Sequence, residues 1–291
     1  MEASSSELRP RALASRAIPI IADRCGGNYR LEAGILVAVE GIDGAGVSTT
    51  AEALAAVFSK LLGGDACYTK EPTSGPVGFL VWQALSSRYL EPLKAPPLLA
   101  LLFAADRLWH LIAGDDGGPG VLGCLARPAL VVTDRYKYSS MAYQSVAGVV
   151  SARRLPGAEV AWISEVNAYA PPAHYVIYVD VPVDVALSRI EEERWELHLY
   201  EKKRFLQAVK ANFDRVLSSV EEDPEVGGGP QGSRPWERLL EAWGLDPSSI
   251  YRGPHPRVMR VDGTRDPLSN LVEAACWILD EAVAEGLMRR G

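Results

Sequence analysis

The sequence contains no run of about eighteen apolar residues, the length a helix needs to cross a bilayer. It also lacks an excess of positive charge, because its formal net charge at pH 7 is −7. A general nucleic-acid binder would instead carry a basic face. We therefore expect a cytoplasmic protein that binds neither membranes nor nucleic acid.

Cysteine is scarce, and the four that occur show no metal-binding pattern. There is no C-x-x-C pair and no histidine cluster beside them, which zinc sites require. The sequence predicts isolated, buried thiols and no metal cage. Asparagine and glutamine are also rare, which indicates a thermophilic source. The cysteines are Cys25, Cys67, Cys124 and Cys276.

Residues 35–50 predict a buried strand that leads into a glycine-rich phosphate loop. The backbone N–H groups of such a loop converge on phosphate oxygens at the positive end of the following helix, and a serine hydroxyl there suits Mg²⁺. Valine replaces the lysine of the motif, so a strand-to-helix turn without a ligand stays open as an alternative. The expected ATP-binding residues are Gly41, Gly44, Ala45, Gly46, Val47, Ser48 and Thr49.

Five short apolar runs alternate with longer segments of helical period. This alternation predicts an α/β fold of the P-loop NTPase kind, with a five-stranded parallel sheet flanked by helices on both faces. Polar residues that suit a binding site follow the predicted strands at their carboxyl ends, which is where open α/β sheets bind ligands. The runs cover residues 35–39, 66–69, 129–133, 175–179 and 258–261.

The same pattern places the domain at residues 35–291, with insertions near 114–123 and 221–256 that are rich in glycine and proline. A short helix is expected over 236–243 inside the second insertion. Residues 1–34 are expected to form an extension that precedes the domain. The alternatives for this extension are a disordered leader, an interface arm or an artefact of an upstream start site. A proline at position 19 interrupts its single apolar patch.

Asp134 and Arg135 follow a buried strand, and Arg135 is followed by Tyr136. A carboxylate at this position suits Mg²⁺ or its water ligands, and an arginine suits phosphate. Such a pair is more often a structural ion pair, but a phosphate loop on a neighbouring strand favours a catalytic role. Asp134 and Ser48 are thus the expected metal ligands.

Four segments together resemble the thymidylate kinases, which are nucleoside-monophosphate kinases with a P-loop fold and a lid segment. The motifs are VEGIDGAG at 39–46, TKEPT at 69–73, LLFAADR at 101–107, and DRY at 134–136 followed by SSMAYQ at 139–144. Their order and spacing resemble the family over about 35–220 and again over 257–283. The resemblance implies ATP and Mg²⁺, a dTMP acceptor and a homodimer.

The resemblance also implies roles for individual residues. Asp43 would meet the sugar 3′-hydroxyl, Phe103 would stack on thymine, and Arg107 would reach the base or a phosphate. Arg135 would bind the acceptor phosphate. The remaining substrate-binding residues implied are Glu71, Ser139, Tyr143 and Gln144.

Because the phosphate loop lacks the lysine, another cation must neutralise the charge of the transferred phosphoryl group. The family places a mobile lid after the fourth strand, and family members with glycine at the position of Gly44 supply the cation from that lid. Arg189 and Arg194 are therefore the expected catalytic cations, together with Asp134 and Arg135, and the lysines at 202–203 are further candidates.

The sequence predicts a thymidylate kinase that transfers the γ-phosphoryl group of ATP to dTMP and yields dTDP. Two alternatives stay open. One is a nucleotide-binding protein that lost turnover with the lysine. The other is a kinase of the same fold that acts on another deoxynucleoside or nucleoside monophosphate.

Overall fold

The computed structural model describes residues 9–86, 96–114, 120–150, 160–190, 196–222, 234–251 and 256–291. The strands are β1 (Tyr29–Leu31), β2 (Ile35–Gly41), β3 (Ala66–Lys70), β4 (Leu130–Asp134), β5 (Tyr175–Asp180), β6 (Arg257–Asp262) and β7 (Met288–Arg290). The helices are α1 (Pro10–Cys25), α2 (Val47–Leu61), α3 (Pro76–Ser86), α4 (Pro96–Ile112), α5 (Val121–Leu125), α6 (Lys137–Val150), α7 (Val160–Val166), α8 (Val183–Arg189), α9 (Glu196–Glu222), α10 (Pro235–Ala242), α11 (Pro247–Ile250) and α12 (Pro267–Ala284).

The predicted five-stranded parallel sheet is confirmed, with the strand order β3-β4-β2-β5-β6. The three central strands are almost wholly apolar and buried, as expected of a sheet covered on both faces. Helices α1, α2 and α12 pack together as one layer, and α4, α6, α7 and α9 form another. All five strands therefore end at one edge, where the phosphate loop and the Asp134–Arg135 pair lie side by side.

The extension predicted before β2 belongs to the folded domain over residues 9–34, so a disordered leader is wrong for this part. Helix α1 continues through Pro19 and buries Leu13 and Ile21 against the core. Packing against α2 and α12 outweighs the backbone hydrogen bond that the proline removes. Strand β1 pairs antiparallel with β7, which ties the two ends of the domain together.

The prediction of isolated thiols is also wrong for two cysteines. Cys25 at the end of α1 and Cys276 in α12 form a disulfide, with a Cα–Cα distance of 5.7 Å. Their sequence separation of 251 residues gives no local signal for the pairing. The bond fastens the amino-terminal helix to the carboxyl-terminal one.

Both predicted insertions are partly described. In the first, α5 buries Val121 and Leu122. In the second, the expected short helix is present as α10, followed by α11. The imidazole of His174 approaches the carbonyl oxygen of Ile250 at 3.0 Å and stacks on the ring of Tyr251, so this segment packs against the sheet. No helix among the described residues is long and apolar enough to span a membrane.

Candidate active site

The loop between β2 and α2 has the backbone of a phosphate-binding turn. Gly44 and Gly46 have φ values of 81° and 96°, in the left-handed region that glycine adopts without steric cost. Helix α2 begins at Val47 with no side-chain cap and no acidic residue in its first turn. Its first N–H groups are thus suited to an anion.

Val47 does not reach out of the loop towards a ligand. Its side chain is only 4% exposed and packs inside the loop, where a Cβ placed on Gly41 would lie 3.0 Å from Val47 Cγ2. The loop also packs directly on α8, because a Cβ placed on Gly44 would collide with the carbonyl oxygen of Ala186. The loop therefore fits tightly against the helix that carries Arg189.

Arg135 joins the end of β4 to the phosphate loop. Its guanidinium donates to the carbonyl oxygen of Gly41 at 2.8 Å and to the carboxylate of Asp43 at 2.6 Å. Its backbone has a φ of 67°, which is unusual for a residue with a side chain. The geometry brings a fixed positive charge to the loop where phosphate groups are expected.

Tyr143 and Ser139 hold this arrangement in place. The Tyr143 hydroxyl accepts a hydrogen bond of 2.9 Å from the Asp43 backbone N–H, and the Arg135 guanidinium lies 5.3 Å from the centre of its ring. The Ser139 hydroxyl accepts from Arg135 at 3.2 Å. Both residues, predicted as direct substrate ligands, contact the phosphate loop or Arg135 in this structure.

Glu40 is a member of the site that the motif does not single out. It is fully buried at the end of β2 and accepts hydrogen bonds from the backbone N–H groups of Tyr136 and Ser139, at 2.9 and 3.3 Å. The Ser139 hydroxyl donates to its other oxygen. Burial raises the pKa of this carboxyl to about 7, against the lowering effect of the Ser139 donors and of Arg135.

Glu71 and Arg107 form a buried ion pair beside the loop. Two guanidinium nitrogens of Arg107 donate to one carboxylate oxygen of Glu71, at 2.9 and 2.6 Å, and both side chains are 2% exposed. His110 Nδ1 lies 3.1 Å from the other oxygen. Burial alone would raise the pKa of Glu71, but Arg107 and His110 hold it below its ordinary value.

Arg107 has a further partner in Asn167, whose side-chain oxygen accepts from it. Helix α4 also fixes the segment after β3, since the Asp106 carboxylate accepts from the Thr73 N–H at 2.8 Å and from its hydroxyl at 2.6 Å. Glu71, which follows β3, and Arg107, which lies on α4, are both predicted substrate residues. These contacts fix their positions relative to each other.

Gln144 presents an incomplete hydrogen-bond set. Its side-chain oxygen is buried and has no hydrogen-bond partner in the part of the chain that the structure describes. A buried polar atom without a partner is costly and is explained if a ligand supplies the missing group. Phe103 on α4 is half-buried, so part of its ring is available for contact.

Asp134 and Ser48 match the oxygen donors that Mg²⁺ prefers. Asp134 ends β4 and is 7% exposed, and the Tyr68 hydroxyl donates to one of its carboxylate oxygens at 3.3 Å. Ser48 is exposed in the first turn of α2. Mg²⁺ usually takes one or two protein oxygens together with substrate phosphates, so this small donor set fits the ion.

The predicted lid cations are only partly described. Arg189, the last residue of α8, donates to the carbonyl oxygen of Gly263 at 2.9 Å. Arg194 lies outside the described residues. Of the two lysines, Lys203 pairs with Asp184 at 2.5 Å and Lys202 is exposed.

The chain is similar to proteins of one family over most of its length. The family model described as thymidylate kinase matches residues 39–223. A protein of Aeropyrum pernix that provisionally bears this name is 44% identical over 253 residues, which cover 87% of this chain and 97% of the relative. One of Treponema pallidum with the same provisional name is 36% identical, over 62% of this chain and 78% of its own.

A solved structure shares the fold. The thymidylate kinase from Candida albicans aligns with a TM-score of 0.56 at 17% identity, covering 89% of this chain and 96% of its own.

Proposed function

The chain belongs to the thymidylate kinase family, and we propose from that premise that it transfers the γ-phosphoryl group of ATP to dTMP and yields dTDP. The observation that carries the proposal is the position of Arg135, which contacts both Gly41 at the start of the phosphate loop and Asp43 within it. A donor phosphate bound by the loop and an acceptor phosphate bound by Arg135 would thus be neighbours. Such positioning supplies most of the catalysis of phosphoryl transfer.

We assign the residues that bind the acceptor from the burial of their side chains and from their hydrogen-bond partners. Arg135 binds the acceptor phosphate, and its exposed ion-pair partner Asp43 binds the sugar hydroxyl. Phe103 supplies an apolar face for the base, and Gln144, whose side-chain oxygen has no hydrogen-bond partner among the described residues, supplies a polar group. Arg107, already bonded to Glu71, retains further N–H donors for the nucleotide.

Thymidylate kinases use ATP and typically Mg²⁺. In this chain Ser48 and Asp134 would hold the ion together with phosphate oxygens. The bound ion supplies neutralisation of phosphate charge.

The absent lysine is replaced, in this proposal, by arginines that approach the loop from other elements. Arg135 already contacts the loop, and Arg189 ends the helix on which Gly44 packs. A cation about 4 Å from a phosphate oxygen is worth roughly 4 kcal/mol at an effective dielectric constant near 20, or about a thousandfold in rate. Arg189→Ala should therefore lower kcat by up to about a thousandfold while dTMP binding persists.

The protein is further proposed to be a cytoplasmic homodimer from a thermophile. In the described part of the chain, helices α3 and α4 expose an apolar face of six large side chains, which two copies can bury against each other. Trp82→Glu should yield monomers in sedimentation, whereas Ile20→Glu, at an exposed apolar residue of α1, should not. The exposed apolar residues of this face are Phe79, Leu80, Trp82, Leu85, Leu98 and Leu101.

The reaction is tested by assaying ADP release from ATP with dTMP, dUMP, other nucleoside monophosphates and thymidine as acceptors. We expect dTMP to be the preferred acceptor. Preference for thymidine would identify a nucleoside kinase, and tight dTMP binding without ADP release would identify a binding protein. Arg30→Ala, at an exposed arginine of β1, serves as the matched control for Arg189→Ala.

A further inference from the structure

The imidazole of His110 on α4 lies between two side chains of the neighbouring strand segment. Its Nδ1 is 3.1 Å from Oε1 of Glu71, and its Nε2 is 2.6 Å from the hydroxyl oxygen of Thr69. The residue is only 4% exposed, so water has little access to either nitrogen. Both ring nitrogens are therefore satisfied by the end of β3 and the residue that follows it.

The spacing of these residues in the sequence explains why they meet. Thr69 and Glu71 are two positions apart in extended chain, because the N–H of Glu71 still donates to the carbonyl oxygen of Asp134 at 3.0 Å. Side chains two positions apart in a strand point to the same side. Arg107 and His110 are three positions apart on α4 and share one face of that helix. The two pairs of side chains thus face each other.

His110 determines how Glu71 holds Arg107. A carboxylate and a guanidinium commonly form two parallel hydrogen bonds, in which each oxygen accepts one. Here the single oxygen Oε2 accepts from both Nε and Nη2 of Arg107, at 2.9 and 2.6 Å. The other oxygen is taken by Nδ1 of His110, which carries the proton of this bond because an ionised carboxylate only accepts. The remaining guanidinium nitrogen, Nη1, donates to Asn167.

The hydroxyl of Thr69 keeps the ring in this orientation. A hydroxyl group can donate to Nε2 when that nitrogen lacks a proton and can accept from it when it carries one. The contact with Thr69 is thus available in both protonation states of the ring. In both states, Nδ1–H of His110 faces Glu71.

We propose that His110 is a positioning residue for the nucleotide. Held by Thr69, it keeps one oxygen of Glu71 away from Arg107 and thereby sets the direction of the guanidinium. This inference rests on the proposed function, in which Arg107 contacts dTMP. Without the imidazole, Glu71 is free to rotate until both of its oxygens accept from Arg107, and the guanidinium turns with it. His110 acts through these two side chains and needs no contact with the substrate.

The test uses variants of His110 in the full chain that preserve one side of the ring. The side-chain N–H of His110→Asn can replace Nδ1–H, whereas the longer His110→Gln reaches the position of Nε2. In titration calorimetry, His110→Asn should bind dTMP within about threefold of the natural protein, and His110→Ala and His110→Gln at least about tenfold more weakly. Equal affinities of His110→Asn and His110→Gln would overturn the proposal.

Steady-state kinetics separate positioning for binding from a part in the chemical step. In His110→Ala the loss should appear in KM for dTMP, while kcat stays within about threefold, because a displaced binding group weakens the ground state and the transition state alike. An unchanged KM in His110→Ala would contradict the proposal.

His174→Ala is the matched structural control. His174 is also buried and contacts backbone groups through both ring nitrogens, at 3.0 Å from Leu36 N and 3.0 Å from Ile250 O. It lies before β5 and beside the start of β2, at the edge of the sheet opposite to the candidate active site. This variant should lower Tm and leave the affinity for dTMP unchanged. If it weakened dTMP binding as much as His110→Ala, a general loss of stability would explain the effect and the proposal would fail.

A second measurement needs no nucleotide. Proton–nitrogen NMR spectra of the free protein should show a proton on Nδ1 of His110, in a signal identified by its absence from His110→Asn. A proton on Nε2 alone would overturn the proposal. This measurement decides the hydrogen-bond chain even if the natural protein releases no ADP, an outcome that would refute the proposed function instead.

Discussion

The guanidinium of Arg135 donates a 2.6 Å hydrogen bond to the carboxylate of Asp43. This ion pair connects the end of β4 with the phosphate loop after β2, and the same guanidinium also holds the first carbonyl group of that loop. The pair is partly exposed, with Asp43 at 53% and Arg135 at 22%. It is therefore accessible to a ligand and contributes little to stability by itself.

Replacing Arg135 should separate activity from stability. Arg135→Gly removes the cation but suits the φ of 67°, where glycine avoids a strain of about 1 kcal/mol. We expect kcat/KM for dTMP to fall by at least about a hundredfold, while the free energy of unfolding changes by less than about 1 kcal/mol. Steady-state kinetics and urea unfolding check both expectations, and near-normal turnover by the variant would refute the role of the arginine.

The buried pair of Glu71 and Arg107 should behave differently. Glu71→Gln leaves a guanidinium that is 2% exposed without its charged partner, so we expect a loss of about 3–5 kcal/mol in unfolding free energy. Asp43→Asn, which breaks the exposed pair, is the control and should cost less than about 1 kcal/mol. Equal losses in the two variants would show that burial does not control the strength of these pairs.

The lowered pKa of Glu71 also fixes the direction of a pH effect. The folded state holds the proton more weakly than the unfolded state, so Glu71 stabilises the fold at pH values above its ordinary pKa of 4.5. This stabilisation is lost as the pH falls through the lower folded-state pKa. Urea unfolding between pH 3 and 6 should therefore show a weaker acid dependence for Glu71→Gln than for the natural protein.

Glu40 should give a pH effect of the opposite sign. Its folded-state pKa of about 7 lies above the ordinary 4.5, so its contribution is full below pH 4.5 and is lost as the pH rises through 7. The shift corresponds to about 3 kcal/mol. The loss of this contribution lowers the unfolding free energy between pH 5 and pH 8. Glu40→Gln should remove that decrease. Glu52→Gln, at an exposed glutamate of α2, should leave the decrease unchanged.

The disulfide between α1 and α12 should account for a measurable part of the stability. Cys276→Ser removes a link that closes almost the whole chain, and loss of a native disulfide typically costs about 2–5 kcal/mol. We expect a decrease in Tm on the order of 5–15 °C by calorimetry. An unchanged Tm would mean that packing of α1 alone holds the amino-terminal segment.

The sheet was predictable because its strands are short apolar runs that end in polar residues, as at 35–39 and 130–134. Two further strands were missed, since β1 and β7 have three residues each and polar, exposed positions. Helix α1 was missed because Pro19 argues against a helix locally, whereas packing against α2 and α12 decides the outcome.

The site was predictable where a residue lies in a motif. Asn167 and His110 gave no such signal, because they act through contacts with Arg107 and Glu71 that only the fold creates. The burial of Glu40 could have been inferred from its position at the end of an apolar strand, but its partners Tyr136 and Ser139 lie about a hundred residues away.

The most direct test of the proposed function is ADP release by the natural protein with dTMP, ATP and Mg²⁺, measured beside Val47→Lys. We expect turnover by the natural protein that depends on dTMP, because arginines replace the charge of the missing lysine. The contradicting result is a natural protein that binds dTMP without turnover and gains activity only in Val47→Lys.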